Sequence, residues 1–281
     1  MTPGSAKIPG VEPVDTSAVP EPDVYLHGHA EPVLRSHRWR TAENSAAHLL
    51  GRLRPTDLLL DVGCGPGTIT ADLARRVRHA VAVDRSGDAI VAAAVEGADL
   101  ANLFFERADV YRLPFTDDTF DVVHAHQVLQ HLGDPVSALR EMIRVTRPGG
   151  VVAVRDADYG AMTWAPASTG LDRWLERYRG AARALGAEPD AGRHLLRWCR
   201  EAGLADVSAT ASVWCFADEA DRRWWGDLWA DRVRSTDLAG RMRTVGADDD
   251  ELQAMARAWT DWAADPSGWF AVLHGEVVGT V

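Results

Sequence analysis

The stretch Leu58-Leu59-Leu60-Asp61-Val62-Gly63-Cys64-Gly65-Pro66-Gly67-Thr68-Ile69 limits the folds open to this chain more than any other segment. Leu58 to Val62 is too short and too apolar for a soluble helix, and it suits a strand buried on both faces of a parallel sheet. Gly63, Gly65 and Gly67 follow, where positive φ and close backbone approach cost little. Thr68 is placed to cap a helix whose inward face carries Ile69, Leu73, Ala74 and Val77. Exposed backbone N–H groups at such a helix start favour the polar part of a ligand, so the stretch reads as the floor of a nucleotide site.

The same alternation continues downstream. Ala80 to Val83 is a second apolar run, ended by Asp84 about twenty residues past the first glycine, where a βαβ unit presents a carboxylate to ribose hydroxyls. Ala89 to Leu100 reads as a helix, and Leu103 to Ala108 as a third strand closed by Asp109. Phe120 to Ala125 is a fourth strand, followed by His126 to Leu132 and a helix from about Pro135 to Val145. Pro148-Gly149-Gly150 turns into a fifth strand, Val151 to Val154. Strands alternating with helices predict an α/β fold with a doubly wound, mainly parallel sheet.

Flanking segments differ in character. Residues 1–23 are rich in Pro, Gly, Ser and Thr and read as a flexible leader. Residues 24–54 are expected to form an N-terminal helical lid, with a helical pattern from Pro32 to Leu53. Residues 55–281 form the main domain, with 165–203 and 218–265 as helical cap insertions. Within these, helices are expected near Leu171 to Leu185, Arg193 to Ala202, Glu219 to Leu238 and Asp249 to Ala264, and strands at Val207 to Phe216 and Trp269 to Val278.

Composition removes several classes of chemistry. The only lysine is Lys7, which excludes a pyridoxal Schiff base, a Walker-type phosphate lysine and a Tyr/Lys reductase pair. A net charge of −11 disfavours nucleic acid and anionic membranes as partners. Three scattered cysteines, with no Cys-x-x-Cys pair, argue against a disulfide framework or a zinc site and fit a reducing, cytoplasmic setting. No run of eighteen apolar residues and no secretion-type segment is evident.

Asp61, Asp84 and Asp109 at the strand ends, together with Asp61-Val62-Gly63-Cys64-Gly65-Pro66-Gly67 and Arg144-Val145-Thr146-Arg147-Pro148-Gly149-Gly150, make residues 55–158 resemble the class I S-adenosylmethionine-dependent methyltransferases. Within that class the chain is similar to the small-molecule group that includes the ubiquinone and menaquinone C-methyltransferases. The resemblance implies a seven-stranded sheet with its last strand antiparallel. It also implies S-adenosylmethionine as cofactor, held by Asp61, Gly63, Cys64, Gly65, Asp84 with Arg85, Asp109 with Val110, and His126 and Gln127 on the methionine side. Tyr25-x-His27-Gly28-His29 and Ser36-His37-x-x-Arg40 resemble the front of a bacterial and fungal subgroup linked to secondary metabolism, some of whose members methylate indole carbon.

Methyl transfer from a sulfonium is an in-line displacement, so positioning contributes more than proton removal. Tyr25, His29 and Asp158 are the expected catalytic residues. His27, His126 and His131 are further candidates for an optional base, and Asp156 reads as a loop cap. Trp164, Trp174 and Trp214 are candidates for the wall of an aromatic acceptor pocket, whereas Trp224, Trp225, Trp229, Trp259 and Trp262 sit at core spacings. Cys64 reads as a small residue that fits its turn. The expected partner is a small-molecule acceptor, self-association as a homodimer being compatible with this reading. Two alternatives stay open on the residues alone. One is a nicotinamide oxidoreductase, disfavoured by Thr68 where the dinucleotide fingerprint has glycine; the other is a cofactor-binding regulator without chemistry.

Overall fold

A computed structural model describes residues 39–281. Its centre is a sheet of eight strands: β1 (Leu58–Val62), β2 (His79–Asp84), β3 (Leu103–Arg107), β4 (Phe120–His126), β5 (Thr146–Ala157), β6 (Thr163–Ala165), β7 (Ala205–Phe216) and β8 (Trp269–Thr280). The order β3-β2-β1-β4-β5-β8-β7 has parallel neighbours from β3 to β5, and β8 then runs antiparallel between β5 and β7. The short β6 pairs with the start of β8 and makes the count eight rather than seven. All five residues of β1 are buried, as expected for a strand covered on both faces.

The helices are α1 (Ala42–Ser45), α2 (Ala47–Leu50), α3 (Thr68–Ala74), α4 (Gly87–Glu96), α5 (Pro135–Val145), α6 (Thr169–Ala184), α7 (Leu195–Ala202), α8 (Glu219–Arg234), α9 (Thr236–Thr244) and α10 (Asp249–Ala264). Three expectations shift. Thr68 is the first residue of α3 rather than its cap, because Gly67 occupies the cap position with φ +83. The pattern expected to give one helix up to Leu53 breaks, over its described part, at Ala46 (φ −135), after a capping box between Thr41 and Asn44. Glu219 to Leu238 also splits: Ser235 leaves the helix at ψ 146, and its hydroxyl accepts from Leu238 N to start α9.

Two kinds of core result. Around the sheet, aliphatic residues such as Leu60, Val81, Val123 and Val152 pack against Leu139 and Met142 of α5, and α7 joins them through Leu195, Trp198 and Cys199. On the other face Ala42, Ala46 and Leu49 pack with Ile69 and Leu73. The second core is aromatic. There α6, α8, α9 and α10 enclose Trp174, Tyr178, Trp225, Trp229, Trp259 and Phe270. Trp174 meets Trp229 and Trp259 edge-on at centroid distances of 4.6 and 4.7 Å, a favoured geometry for ring pairs. Among the described residues no helix is long and apolar enough to cross a membrane.

Candidate active site

The glycine turn after β1 adopts positive φ at Gly63 (+70), Gly65 (+54) and Gly67 (+83). Space constrains two of these positions as well. A Cβ on Gly63 would overlap Val128 Cγ2, and one on Gly67 would lie 2.8 Å from Ala93 Cβ. Gly63 N and Cys64 N donate to Val83 O at 2.8 and 3.0 Å, which seats the turn on the end of β2. Asp84 completes the seat, its carboxylate accepting from Gly65 N at 3.0 Å and from Ser86 N at 2.8 Å.

The other expected cofactor residues fall into distinct places. Asp61 is buried beneath the turn, where it accepts from the Thr70 hydroxyl and pairs with His124 Nδ1 at 2.7 Å. It therefore anchors α3 to the sheet from below instead of opening toward a ligand. Cys64 is half-buried. Burial, with Asp84 and Asp61 nearby, pushes its thiol well above the usual range, so it stays a neutral filler of the turn. Asp109 and Val110 are half-buried at the carboxyl end of β3, where Asp109 Oδ1 accepts from Tyr111 N at 2.9 Å. Arg85 is exposed, and its carbonyl accepts from Arg107 Nε. His126 is buried beside Arg155, Trp214 and His274; burial first, then Arg155 and Arg40, hold its pKa well below the usual imidazole value.

Gln127 sits where the turn meets the rest of the site. It has φ +54, unusual for a residue with a side chain, and its carboxamide is held from both ends. Arg40 Nη2 donates to Oε1 at 2.6 Å, and Nε2 lies 3.0 Å from His274 Nε2. His274 Nδ1 lies 3.1 Å from Val272 O, a contact that only a protonated Nδ1 can make, so Nε2 is left to accept from the Gln127 amide. Burial keeps the His274 ring neutral, with Arg155 and Arg40 acting in the same direction. Sequence reasoning missed His274, which lies 147 residues from its partner, although Arg40 belongs to a stretch singled out there.

Beyond Gln127, at the carboxyl ends of β4 and β5 and beneath α8, lies an aromatic cavity. Trp39, Trp214, Trp225, Trp229, Tyr159, Met162, Ala157 and Val272 supply its apolar wall. Arg40, Arg232, Gln127, Gln130 and His131 supply its polar groups. Of the three tryptophans expected to wall the pocket, only Trp214 does so. Trp174 is fully buried in the cap core, and Trp164 stacks on Phe270 at 5.5 Å. Trp225 and Trp229 serve as both core and wall, because α8 closes the cap and roofs the cavity with the same face.

The expected catalytic residues are not gathered there. Asp158 is 2% exposed, is held by Arg193 through two bonds of 2.6 Å, and is absent from the cavity wall. That bidentate pair suits it to holding the loop rather than taking a proton. Asp156 is more than a loop cap, since it is fully buried in β5 and accepts from Gln130 N. His131 does line the cavity, but its Nε2 accepts from Gln130, and burial assisted by Arg40 pulls its pKa down to about 3. Tyr25, His27 and His29 lie outside the described residues. Among the described residues no cluster of His, Cys, Asp or Glu could hold a metal.

Comparison with known proteins decides what this architecture belongs to. A methyltransferase-domain family model matches residues 60–154, the span from the glycine turn to the fifth strand. The chain is 35% identical over 267 residues to an uncharacterized methyltransferase of Schizosaccharomyces pombe, covering 90% of this chain and 95% of that protein. It is a class I S-adenosylmethionine-dependent methyltransferase. The demethylmenaquinone methyltransferase of Beutenbergia cavernae is 35% identical over 158 residues, which span 56% of this chain and 62% of that enzyme. Among solved structures, the Bacillus subtilis YcgJ protein superposes with a TM-score of 0.55 at 18% identity, covering 83% of this chain and 98% of that one. Phosphoethanolamine N-methyltransferase 2 of Haemonchus contortus, in complex with S-adenosyl-L-methionine, gives the same TM-score at 14% identity over 93% of this chain and 61% of that one.

Membership resolves the choice between hydride and methyl transfer in favour of the latter, and the cofactor of this methyltransferase is S-adenosylmethionine. The donor set fits it. Asp84 and Asp109 stand at the strand ends where open α/β sheets bind ligands, and a carboxylate is an acceptor for hydroxyl and amino groups such as those of a nucleoside. The bound cofactor supplies an electrophilic methyl group; water exclusion, alignment and recognition of the acceptor fall to the protein.

Proposed function

We propose that this methyltransferase modifies a planar aromatic small molecule, indole- or quinone-like, in secondary metabolism. One observation carries the reading: the cavity next to Gln127 is walled by four tryptophans and a tyrosine. Rigid rings bind a planar ligand through large apolar area and stacking, contributing about 0.5–1.5 kcal/mol per ring pair beyond burial. The front segment with Tyr25 and His29, similar to that of a secondary-metabolism subgroup, supports the metabolic setting.

In this reading Asp84 holds the ribose hydroxyls, Asp109 with Val110 the adenine, and Gly63, Cys64 and Gly65 the methionine portion with His126 and Gln127 near it. Asp61 acts from below by fixing the turn, and Arg85 flanks the ribose site. The cavity offers only a weak base in His131, so the reaction depends chiefly on alignment, for which effective molarities correspond to about 7–11 kcal/mol of barrier. Tyr25 and His29 are the residues we assign to orienting the acceptor and receiving a proton where one must leave. Asp158 takes part by holding Arg193 and the turn at Tyr159–Ala161 that delivers Tyr159 to the wall.

The test is a mass-spectrometric screen with methyl-labelled S-adenosylmethionine against indole-like, quinone-like and aliphatic amine acceptors. Label should enter the planar aromatics, and His29→Ala should lower turnover with little change in S-adenosylhomocysteine affinity. Label entering only aliphatic amines would reject the reading.

A further inference from the structure

We propose that the buried ion pair of Arg155 and Glu276 is a positioning device for methyl transfer: it fixes the Trp214 ring in the wall of the cavity and, through that ring, the contact between His274 and Gln127. The inference rests on the reading that an aromatic acceptor occupies the tryptophan-walled cavity, and it adds two residues that hold the wall without lining it.

Strand register lines these groups up. His126, Arg155, Glu276 and Thr210 are neighbours across β4, β5, β8 and β7, and directly opposed residues share one face of the sheet. Ser212 and Trp214 follow on the same face of β7. Arg155 is fully buried, and Glu276 is 6% exposed. Arg155 Nε donates to Glu276 Oε1 at 3.2 Å, and its Nε and Nη2 donate to Ser212 Oγ at 3.1 and 3.0 Å. Glu276 is held in turn, its Oε2 accepting from the Thr210 hydroxyl at 2.9 Å and its Oε1 from that of Ser212.

The guanidinium so fixed meets the cavity wall from behind. Its Cζ lies 4.9 Å from the centre of the Trp214 ring, within the range of cation–π attraction. Trp214 Nε1 donates to Asn44 O at 2.7 Å, so the ring is held at its nitrogen as well as over its face. The His274 ring is centred 4.2 Å from that of Trp214, and its Nε2 accepts from the Gln127 amide. Arg155 O accepts from Gln127 N at 2.7 Å. Arg155 therefore bears on both the cavity wall and the residue beside it.

Stability alone does not call for a charged pair at this place. Attraction between buried charges is largely offset by their lost hydration, and apolar side chains of similar volume often serve a core as well. Deeper on the same face the sheet uses such residues, because Ala153 and Val278 stand opposite each other and are both buried. Burial lowers the Arg155 pKa to about 10 against the attraction of Glu276, so the guanidinium is charged at neutral pH. The charged pair thus stands where the sheet adjoins the cavity. A planar fork braced by a carboxylate gives Trp214 one orientation, as a reaction that depends on alignment requires.

The experiment compares full-length wild type, Arg155→Lys and the double variant Arg155→Met with Glu276→Leu. Each protein is melted, titrated with S-adenosylhomocysteine and then, at saturation, titrated with indole and with naphthol. The double variant removes both charges together and should melt close to wild type. It should bind S-adenosylhomocysteine within about threefold of wild type and the planar compounds about tenfold or more weakly. Arg155→Lys keeps a charge beside Glu276 but loses the fork, and it provides the same readout should the double variant misfold. In that variant the indole N–H resonance of Trp214, assigned with Trp214→Phe, should move. Folded variants that bind indole and naphthol as wild type does, with the resonance unmoved, would overturn the positioning role while leaving the aromatic reading in place. Melting temperature and both affinities falling together would make the pair structural, and failure of the wild type to bind either planar compound would overturn both readings.

Discussion

The cofactor half and the cap half of this methyltransferase are built on opposite plans. From Leu58 to Ala157 the core is aliphatic, the loops are short, and polar side chains at the strand ends are fixed by backbone bonds, as Asp84 is by Gly65 N and Ser86 N. From Tyr159 onward the core is a lattice of indole rings, and the buried Arg232 lines the cavity. The first plan suits a ligand that never changes, because backbone N–H groups and carboxylates recognise sugar and amino-acid portions that every S-adenosylmethionine carries. The second suits a ligand particular to this enzyme, since side chains on helices can be exchanged without disturbing the sheet. The difference teaches that cofactor affinity and acceptor affinity should be separable by mutation.

The largest expected effect lies deep in the cap. Trp259 is fully buried among Trp174, Trp229 and Phe270, and Trp259→Ala should cost about 3–5 kcal/mol of stability in denaturant unfolding. If the halves are separable, the folded fraction should bind S-adenosylhomocysteine normally, and a parallel loss of affinity would break the comparison. Next comes Asp84→Ala, which removes a charged acceptor and should weaken S-adenosylhomocysteine by about 10- to 100-fold, corresponding to roughly 1.5–3 kcal/mol per charged bond. Calorimetry reads it directly.

These two positions also mark what was legible in the chain. Asp84 was readable because its spacing from Gly63 follows from the geometry of one βαβ unit, and α5 and α10 fall at Pro135–Val145 and Asp249–Ala264 because their apolar spacing and caps are local. Trp225 and Trp229 were assigned to a core and Trp174 to a pocket wall because periodicity tells which face of a helix is apolar, not what that face meets. Asp158 lay at the right sheet edge, yet its ion pair with Arg193 depends on a turn 35 residues later. The Gln127 to His274 contact joins β4 to β8, and no local pattern announces it.

That contact gives a smaller prediction, at the seam between the halves. His274→Leu removes the acceptor for the Gln127 amide and should lower turnover by about tenfold with S-adenosylhomocysteine affinity within about threefold. His274→Gln, which can return an amide oxygen near the lost nitrogen, should recover most of it. Equal impairment in both variants would assign His274 to packing alone.

The most gradual effect is with pH. Burial is the main cause that lowers His48 to about 4 and His131 to about 3, so between pH 6.5 and 4 the unfolded chain takes up protons that the folded chain refuses. Stability should therefore fall as pH drops through that window, by an amount on the order of 1 kcal/mol per unit for each group. Asp156 works the other way. Burial raises its pKa to about 7, so the folded state holds that proton while the unfolded chain releases it above about pH 4, and this contribution weakens as pH rises. Asp156→Asn should steepen the acid loss, which thermal melts across pH 4–7 would record.

The most direct test of the division between the halves is a pair of successive titrations, S-adenosylhomocysteine and then a planar indole- or quinone-like compound, applied to the wild type, Asp84→Ala and Trp225→Leu. The account predicts that Asp84→Ala loses the first ligand, whereas Trp225→Leu binds it within about threefold of wild type and loses the second by about tenfold or more. A Trp225→Leu protein that is folded, yet loses S-adenosylhomocysteine as severely as Asp84→Ala does, would contradict it.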